Sequence, residues 1–351
     1  MSINTIVFGT GKHAEKWCRY ITIHDKYKLK YIISDSQERG ENLAIKFNCK
    51  YKNNFQDLLK NDKIDLSILA SHPNKNNFAI KLAENKINLI IEKPLALNLE
   101  NCDSILNSCK KNNVLCGSGL IRYFDTYFKI VENYLEILGK CYHAELNILH
   151  NEDMKNKELF SSENVERYGD IFLGHLIHYF IQLNKIFGTP NEILANSIYE
   201  LDPDIIASAN VQIKYNNTLA IVNIINNYKE EFGEVMKLYC EKGLIEINFN
   251  TQSVRIIKNP FNDKLTRPFL SKHKKSILKG KFSNLKLRKV IETKNFYFGS
   301  LKRVLDSFSN IYLNLKEDEI VDIEKQYLAT KMSLACKSSI KSKSWISLLN
   351  R

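Results

Sequence analysis

Short apolar runs alternate with stretches of helical period over the first third of the chain. "NTIVFG" precedes a helical segment from about Lys12 to Ile23, and "LKYIIS" precedes another near Ser36 to Phe47. "IDLSILAS" leads into "NNFAIKLAENK", "INLIIEKP" into a helix near Leu99 to Lys111, and "NVLCGSG" closes the series. Strands alternating with helices predict βαβ units and a doubly wound parallel sheet. In "SILA" and "NLII" consecutive positions are apolar, as strands covered on both faces require. After about residue 140 the pattern changes. "KCYHAELNILH", "SANVQIKY", "TLAIVNIINNY", "EVMKLYCEKG" and "LIEINF" alternate, which predicts strands with one buried face. Within them "IKYNNTLAI" reads as a hairpin turning at Asn216-Asn217, since asparagine tolerates positive φ.

The turn between the first strand and helix is Gly9-Thr10-Gly11-Lys12-His13-Ala14, a G-x-G-x-x-A pattern in the context of a dinucleotide-binding fold. Gly9 permits the tight turn, Gly11 lets a pyrophosphate approach the backbone, and Ala14 allows close packing of helix on sheet. The helix N-terminus offers free N–H groups to the phosphates. Asp35 ends the second strand, where a carboxylate binds both ribose hydroxyls, so NAD(H) is favoured. Ser36 and Arg39 follow closely and leave NADP(H) open.

Composition narrows the class. The chain has 351 residues and 44% hydrophobic content, enough for two domains with packed cores. Its formal charge of +12 suits an anionic small molecule, while no recognition motif of a nucleic-acid module is present. Eight cysteines without a CxxC pair read as reduced thiols, and no apolar run reaches the roughly 18 to 20 residues of a membrane span. These features, with an N-terminus that runs almost directly into a strand, predict a soluble cytoplasmic protein.

Glu92-Lys93-Pro94, at the end of the fifth strand, resembles the E-K-P signature of the Gfo/Idh/MocA family, named for glucose–fructose oxidoreductase and inositol dehydrogenase. The preceding "SHPNKNNFAIKLAENKINLIIEKPLA", the later "GLIRYFD" and the closing "KSSIKSKSWISL" are similar to further family segments. The resemblance implies a Rossmann domain over 1–120 and a second α/β domain over 121–351 with a large, open, mostly antiparallel sheet. It also implies NAD(P)-dependent exchange of a hydride with a hydroxyl or carbonyl carbon of a sugar, sugar derivative or nucleotide sugar. A homodimer or homotetramer built through the second sheet is expected.

Carried onto this chain, the family pattern assigns Ser71, His72, Pro73, Asn74, Glu92, Lys93 and Arg122 to the cofactor, alongside the glycine turn and Asp35. Lys93 matches the lysine beside the reacting hydroxyl, and burial would lower its pKa towards a working range. Pro94 would fix the turn presenting it, through a cis bond in one reading. Arg122 and Tyr123 approach the nicotinamide or the substrate, with packing as the alternative for Tyr123.

The second catalytic segment falls on "YGDIFLGHLIHYF". His178 matches the family's proton acceptor or orienting histidine, but Gly174 stands four residues earlier, where the family often has aspartate. A glycine there provides neither a hydrogen bond nor a charge; it leaves room for substrate or for close approach of the nicotinamide. His175 is the candidate to stand in, and for both histidines the alternative is a buried, hydrogen-bonded core residue. Asp170 caps the helix or touches substrate. An H-x-x-H pair supplies only two ligands, so no metal is expected.

A basic segment, 260–295, reads as a solvated insertion or mobile loop, or else as a cover that meets an anionic substrate through charge-assisted hydrogen bonds. The rival to an enzyme is a non-catalytic dinucleotide-binding sensor of the same fold.

Overall fold

A computed structural model describes residues 2–56, 58, 62–71, 76–150, 169–202, 205–226, 233–258, 288–292 and 300–349. The chain forms two compact units that interleave along the sequence. One takes Met1–Phe124, Phe160–Gln182 and Gly299–Leu334; the other takes Asp125–Leu159, Leu183–Phe298 and Ala335–Arg351. A single cut near residue 120 therefore does not separate them.

The first unit is built on a six-stranded sheet of β1 (Ile3–Phe8), β2 (Tyr27–Ile33), β3 (Lys50–Lys52), β4 (Leu66–Leu69), β5 (Asn88–Ile91) and β6 (Cys116–Ser118). Every pairing is parallel and the order is β3-β2-β1-β4-β5-β6, the doubly wound arrangement the alternating pattern predicts. The helices α1 (Lys12–Ile23), α2 (Gln37–Lys46), α3 (Asn76–Glu84) and α4 (Leu99–Lys111) connect consecutive strands. Alternate residues of β1 point to two separate cores. Ile6 and Phe8 pack with Leu69, Leu89 and Ile105 on one side. Ile3 and Val7 pack with Trp17, Ile68 and Phe308 on the other. Burial on both faces is why these strands read as continuous apolar runs.

Helix α7 (Ser300–Tyr312) supplies Val304, Leu305 and Phe308 to that second core. The Tyr27 hydroxyl donates to the Leu305 carbonyl at 2.6 Å, and His24 meets Asp306 at 3.0 Å. Residues some 280 positions away in sequence thus complete the N-terminal sheet's covering layer.

The second unit holds a nine-stranded sheet formed by β7 (Cys141–His150), β8 (Glu192–Asp202), β9 (Ile205–Lys214), β10 (Leu219–Asn226), β11 (Gly233–Cys240), β12 (Gly243–Asn248), β13 (Ser253–Lys258), β14 (Arg288–Glu292) and β15 (Ile346–Ser347). Its order is β14-β13-β12-β11-β7-β10-β9-β8-β15; only β7 and β10 pair in parallel. β10 and β11 alternate between buried and half-buried positions, as their sequence pattern implies. The hairpin at Asn216-Asn217 is present, closed by Tyr215 N–H donating to the Thr218 carbonyl at 2.8 Å. Neither asparagine has positive φ, so the turn does not draw on that tolerance.

The basic segment needs a correction where it is described. Arg288–Glu292 is a strand paired with β13, not a solvated or mobile loop. Pairing with β13, Val290 opposite Arg255 and Ile291 opposite Val254, gives this stretch its strand character. The rest of 260–295 lies outside the described residues. Among the described residues, no helix is long and apolar enough to cross a membrane.

Candidate functional site

The glycine turn follows β1 at the point where the strand order reverses between β1 and β4, the crevice in which doubly wound folds bind ligands. Gly9 has φ +104°, and a Cβ there would stand 3.0 Å from the Ala70 carbonyl oxygen after β4. Both constraints require glycine. A Cβ at Gly11 would meet nothing within 4 Å, so no group among the described residues fills the space over it. α1 starts there with no side chain capping it, while Ala14 and Trp17 pack into the core. Thr10 is half-buried, whereas Lys12 and His13 are exposed at the helix start. This is a cradle with room for a pyrophosphate and with free N–H donors facing it.

Asp35 is exposed just past β2. Beside it Ser36 N–H donates to the Ser34 hydroxyl at 3.1 Å, and Arg39 Nε donates to the Ser36 hydroxyl at 3.1 Å. Ser71 is half-buried after β4. His72, Pro73 and Asn74, assigned to the cofactor on resemblance, lie outside the described residues.

Glu92 is buried at the end of β5, and its Oε1 accepts from the Trp17 indole at 2.7 Å. His13 Nδ1 stands 4.0 Å from the same oxygen. A Cβ at Gly119 would press to 2.7 Å from the Glu92 carboxyl carbon, so glycine is needed for that close approach. A buried tryptophan N–H needs an acceptor, and here it orients a carboxylate next to the cofactor turn. Lys93 follows, half-buried, with a cis peptide to Pro94. Its ammonium donates to the carbonyl of Gly174. Burial pushes the Lys93 pKa down, and the neighbouring Glu92 charge opposes that fall.

Gly174 lies in the middle of a single wide π-turn, Phe172–Leu176, that leads into α6 (Ile177–Phe187). Such turns break the even helical register. Asp170 caps this element: its Oδ1 accepts from Phe172 N–H at 2.9 Å and Leu173 N–H at 3.1 Å. Of the two expected roles, the cap is the one its contacts show. His178 is half-buried with its Nδ1 sealed from solvent and without a hydrogen-bond partner. Burial first, then the charges of Lys93, Arg122, His175 and His13, hold its pKa well below the ordinary histidine range. It is a neutral imidazole at physiological pH.

Arg122 sits in a short turn, Ile121–Phe124, with its guanidinium 4.7 Å above the ring of buried Tyr179. The structure thus gathers His13, Lys93, Arg122, His175 and His178 into one electrostatic neighbourhood. Tyr123 is placed elsewhere, its ring buried and its hydroxyl donating to Glu319, with Lys325 over its face. A ring with both its face and its hydroxyl engaged by packing partners is not positioned as a substrate contact. Among the described residues, no group of three or more His, Cys, Asp or Glu stands together in a manner fit for a metal ion.

One supporting device escapes sequence inspection. Gln326, Thr330 and Ser333 lie on one face of α8 (Ile323–Ser342), and all are fully buried. Gln326 Nε2 donates to the Ile91 carbonyl at 3.2 Å, and Leu95 N–H donates to the Thr330 hydroxyl at 3.4 Å. The Ser333 hydroxyl donates to the Phe172 carbonyl at 3.1 Å. This polar row ties the Glu92-Lys93-Pro94 turn and the histidine-bearing turn to a common support. The i, i+4, i+7 spacing of small polar residues was the only signal, and it reads equally well as a solvated face.

Comparison with known proteins bears on the fold and its N-terminal unit. Residues 3–120 match the oxidoreductase family model GFO_IDH_MocA, NAD-binding Rossmann fold. The 2,7-anhydro-N-acetylneuraminate hydratase of Escherichia coli K12 is 28% identical over 190 residues, covering 52% of this chain and 48% of the relative. The myo-inositol 2-dehydrogenase of Thermotoga maritima is 27% identical over 184 residues, covering 50% and 52%. The chain thus spans about half the length of these curated relatives. A levoglucosan dehydrogenase solved with NADH and levoglucosan superposes with TM-score 0.82 at 12% identity, covering 100% of both chains. An Agrobacterium radiobacter oxidoreductase solved with NAD+, L-tartaric acid and magnesium gives 0.79 at 11% identity, covering 99% of each. At such identities the likeness is one of fold, a Rossmann unit joined to a large mixed sheet. Over residues 3–120 the chain is thus similar to the NAD-binding Rossmann domain of the Gfo/Idh/MocA oxidoreductase family.

Proposed function

We propose that the protein is an NAD(P)-dependent oxidoreductase acting on a hydroxyl or carbonyl carbon of a sugar, sugar derivative or nucleotide sugar. The observation that carries this reading is the meeting of Lys93 with the Gly174 turn beside a neutral His178, in the unit that bears the glycine cradle. Named relatives acting on a neuraminate derivative and on an inositol support a polyhydroxylated substrate.

The cradle fits a dinucleotide: Gly9 is forced, the space over Gly11 is open, and the α1 N-terminus is uncapped. Gly9, Thr10, Gly11, Lys12, His13 and Ala14 would hold the pyrophosphate, and Ser71 and Glu92 would line the cofactor. Asp35 would accept the ribose hydroxyls and repel a 2′-phosphate, which favours NAD(H) despite Arg39 nearby. When bound, the nicotinamide supplies or accepts the hydride.

The chain's own residues manage the proton. Lys93 donates a hydrogen bond to the substrate oxygen and stabilises charge developing on it; its lowered pKa eases proton exchange. His178, neutral, accepts the hydroxyl proton when the alcohol is oxidised and returns it in reduction. His175 tunes His178 through its charge, and Arg122 shields the pair from solvent. The eight free thiols fit a reducing cytoplasmic setting. The outward face of the nine-stranded sheet is the proposed contact between copies in a dimer or tetramer, to be checked by sedimentation.

The deciding experiment is Lys93→Ala. Turnover falls by about 10²–10⁴-fold, the usual contribution of a positioned acid or base, while NADH fluorescence titration is unchanged. A wild-type protein that binds no nicotinamide cofactor, or a Lys93→Ala variant with full turnover, overturns the proposal.

A further inference from the structure

Two pairs of thiols lie side by side in the folded chain, although no spacing in the sequence marks either. One pair joins Cys109, in the last turn of α4, to Cys116, which opens β6. The other joins Cys141, which opens β7, to Cys240, which ends β11. In each pair one thiol hydrogen-bonds to the other, and all four are free thiols.

Strand register explains the second pair. β7 and β11 run antiparallel, with Tyr239 opposite His143 and Cys240 opposite Cys141, so Tyr142 is a one-residue bulge. Along β11 Met236 and Leu238 are fully buried while Lys237 is not, and the alternation turns Cys240 inward with them. Strict alternation back from buried Ala144 would turn Cys141 outward. The bulge reverses this: Tyr142 is 55% exposed and Cys141 is buried. Both sulfurs therefore stand on one face of the sheet, directly opposite each other. Opposed residues of an antiparallel pair have Cα atoms roughly 4.5–5.5 Å apart, within the roughly 4.4–6.8 Å that a disulfide spans. The surrounding backbone is fixed as well. The Thr218 hydroxyl donates to the Cys141 carbonyl at 2.7 Å, and Glu241 N–H and Lys242 N–H donate to the Lys140 and Leu138 carbonyls, each at 2.9 Å.

Access separates the two pairs. Cys109 and Cys116 are 2% and 4% exposed, inside a core of the first unit. Cys240 is half-buried at its strand end. A hydrogen bond from the Cys141 thiol holds the Cys240 pKa below the ordinary cysteine value, against burial and the Glu241 charge. The same bond, with burial, pushes Cys141 up. Since the thiolate is the reactive form, Cys240 is the better nucleophile and Cys141 is placed to close on it.

We infer that Cys141 and Cys240 are a redox modification site, a dithiol that peroxide converts into a cross-strand disulfide, with Cys240 reacting first. The Cys240 thiolate attacks hydrogen peroxide, the O–O bond breaks, and hydroxide leaves and takes up the proton that Cys240 released. The Cys141 sulfur then attacks the Cys240 sulfenic acid; the S–S bond forms, and the sulfenic oxygen departs as water with the Cys141 proton. Two thiols are oxidised and one peroxide is reduced to two waters. A dithiol such as dithiothreitol reverses the bond by exchange. The disulfide closes a loop of about 100 residues, which restricts the unfolded chain and staples β7 to β11.

The test treats the reduced full chain with graded hydrogen peroxide, blocks remaining thiols by alkylation and digests it without reductant. Mass spectrometry is expected to find the Cys141 and Cys240 peptides joined at lower peroxide than the Cys109 and Cys116 peptides, and dithiothreitol to separate them. Dimedone, which traps sulfenic acid, is expected to label Cys240 in Cys141→Ser at least ten-fold more than Cys141 in Cys240→Ser. Oxidation should raise the Tm of the wild type by about 3–8 °C, and of neither serine variant. The inference is overturned if peroxide oxidises other thiols without joining these two, if Cys109 and Cys116 join first, if dimedone prefers Cys141, or if the Tm does not rise. Should a serine variant fail to fold, the wild-type peptide map and Tm decide alone. No step uses a nicotinamide cofactor, so the outcome stands apart from the oxidoreductase reading.

Discussion

Gly9 and Gly174 lie in the same compact unit, and each stands at a turn that leads into a helix, yet the structure constrains only one of them. Gly9 is constrained twice, by positive φ and by the Ala70 carbonyl against its missing Cβ. Gly174 is constrained by neither. The first belongs to the fold, and any chain winding a dinucleotide turn in this way would need it. Nothing among the described residues requires the second to be glycine. Identical residue types thus carry different structural demands, and only the coordinates separate them.

The contrast breaks most visibly with alanine at each position. Gly9→Ala must tolerate an unfavourable backbone region and a contact at the edge of overlap, so a loss of about 1–3 kcal/mol in urea denaturation is expected. Cofactor affinity should fall with it, because the turn that presents the α1 N–H groups has to move.

A middle-sized effect concerns the histidine beside Gly174. His178 titrates near 6.5 in the unfolded chain and well below that when folded. Below pH 6.5 the unfolded chain therefore binds a proton that the folded chain refuses. Stability is complete above that pH and is lost as pH falls towards the folded pKa, by up to about 1.4 kcal/mol per pH unit. His178→Asn should flatten this part of a stability-against-pH curve; an unchanged slope would place the acid sensitivity elsewhere. The same depression moves any acid limb of kcat/KM due to His178 below the usual histidine range.

The smallest effect has the opposite sign. Gly174→Ala should stabilise the protein by about 0.4–1 kcal/mol, since a Cβ meets nothing and the unfolded chain loses freedom. A destabilisation of Gly9→Ala size would show that the π-turn needs its glycine, and would remove the contrast.

Much of the first unit was legible beforehand. α1 and α4 begin and end where the periodicity places them, and five of the six parallel strands follow from short apolar runs; the sixth, β3, is a polar edge strand that no such run marks. Local pattern suffices there because the central strands are covered on both faces and read as unbroken apolar runs. β8, β13 and β14 went unpredicted. Half of such a strand faces outward, so weakly alternating stretches such as "EILANSIYELD" acquire strand character only from their ladder partners. α7 was missed for a related reason: its apolar side is recognisable only once the N-terminal sheet stands against it.

By itself the sequence determined the glycine turn, and its resemblance to a known family singled out Lys93, Gly174 and His178 as positions to examine. These are matters of residue type at fixed spacing, which the chain carries in any conformation. Tertiary structure decided the rest of the site. It brought Lys93 onto the Gly174 carbonyl across 81 positions, locked Glu92 to Trp17 across 75, and braced both turns with Gln326, Thr330 and Ser333. It wound a π-turn where the pattern reads as plain helix, and buried His178 deeply enough to keep it neutral. Hydrogen bonds between distant segments and the desolvation of a charge depend on what folding places nearby, and no local spacing encodes that.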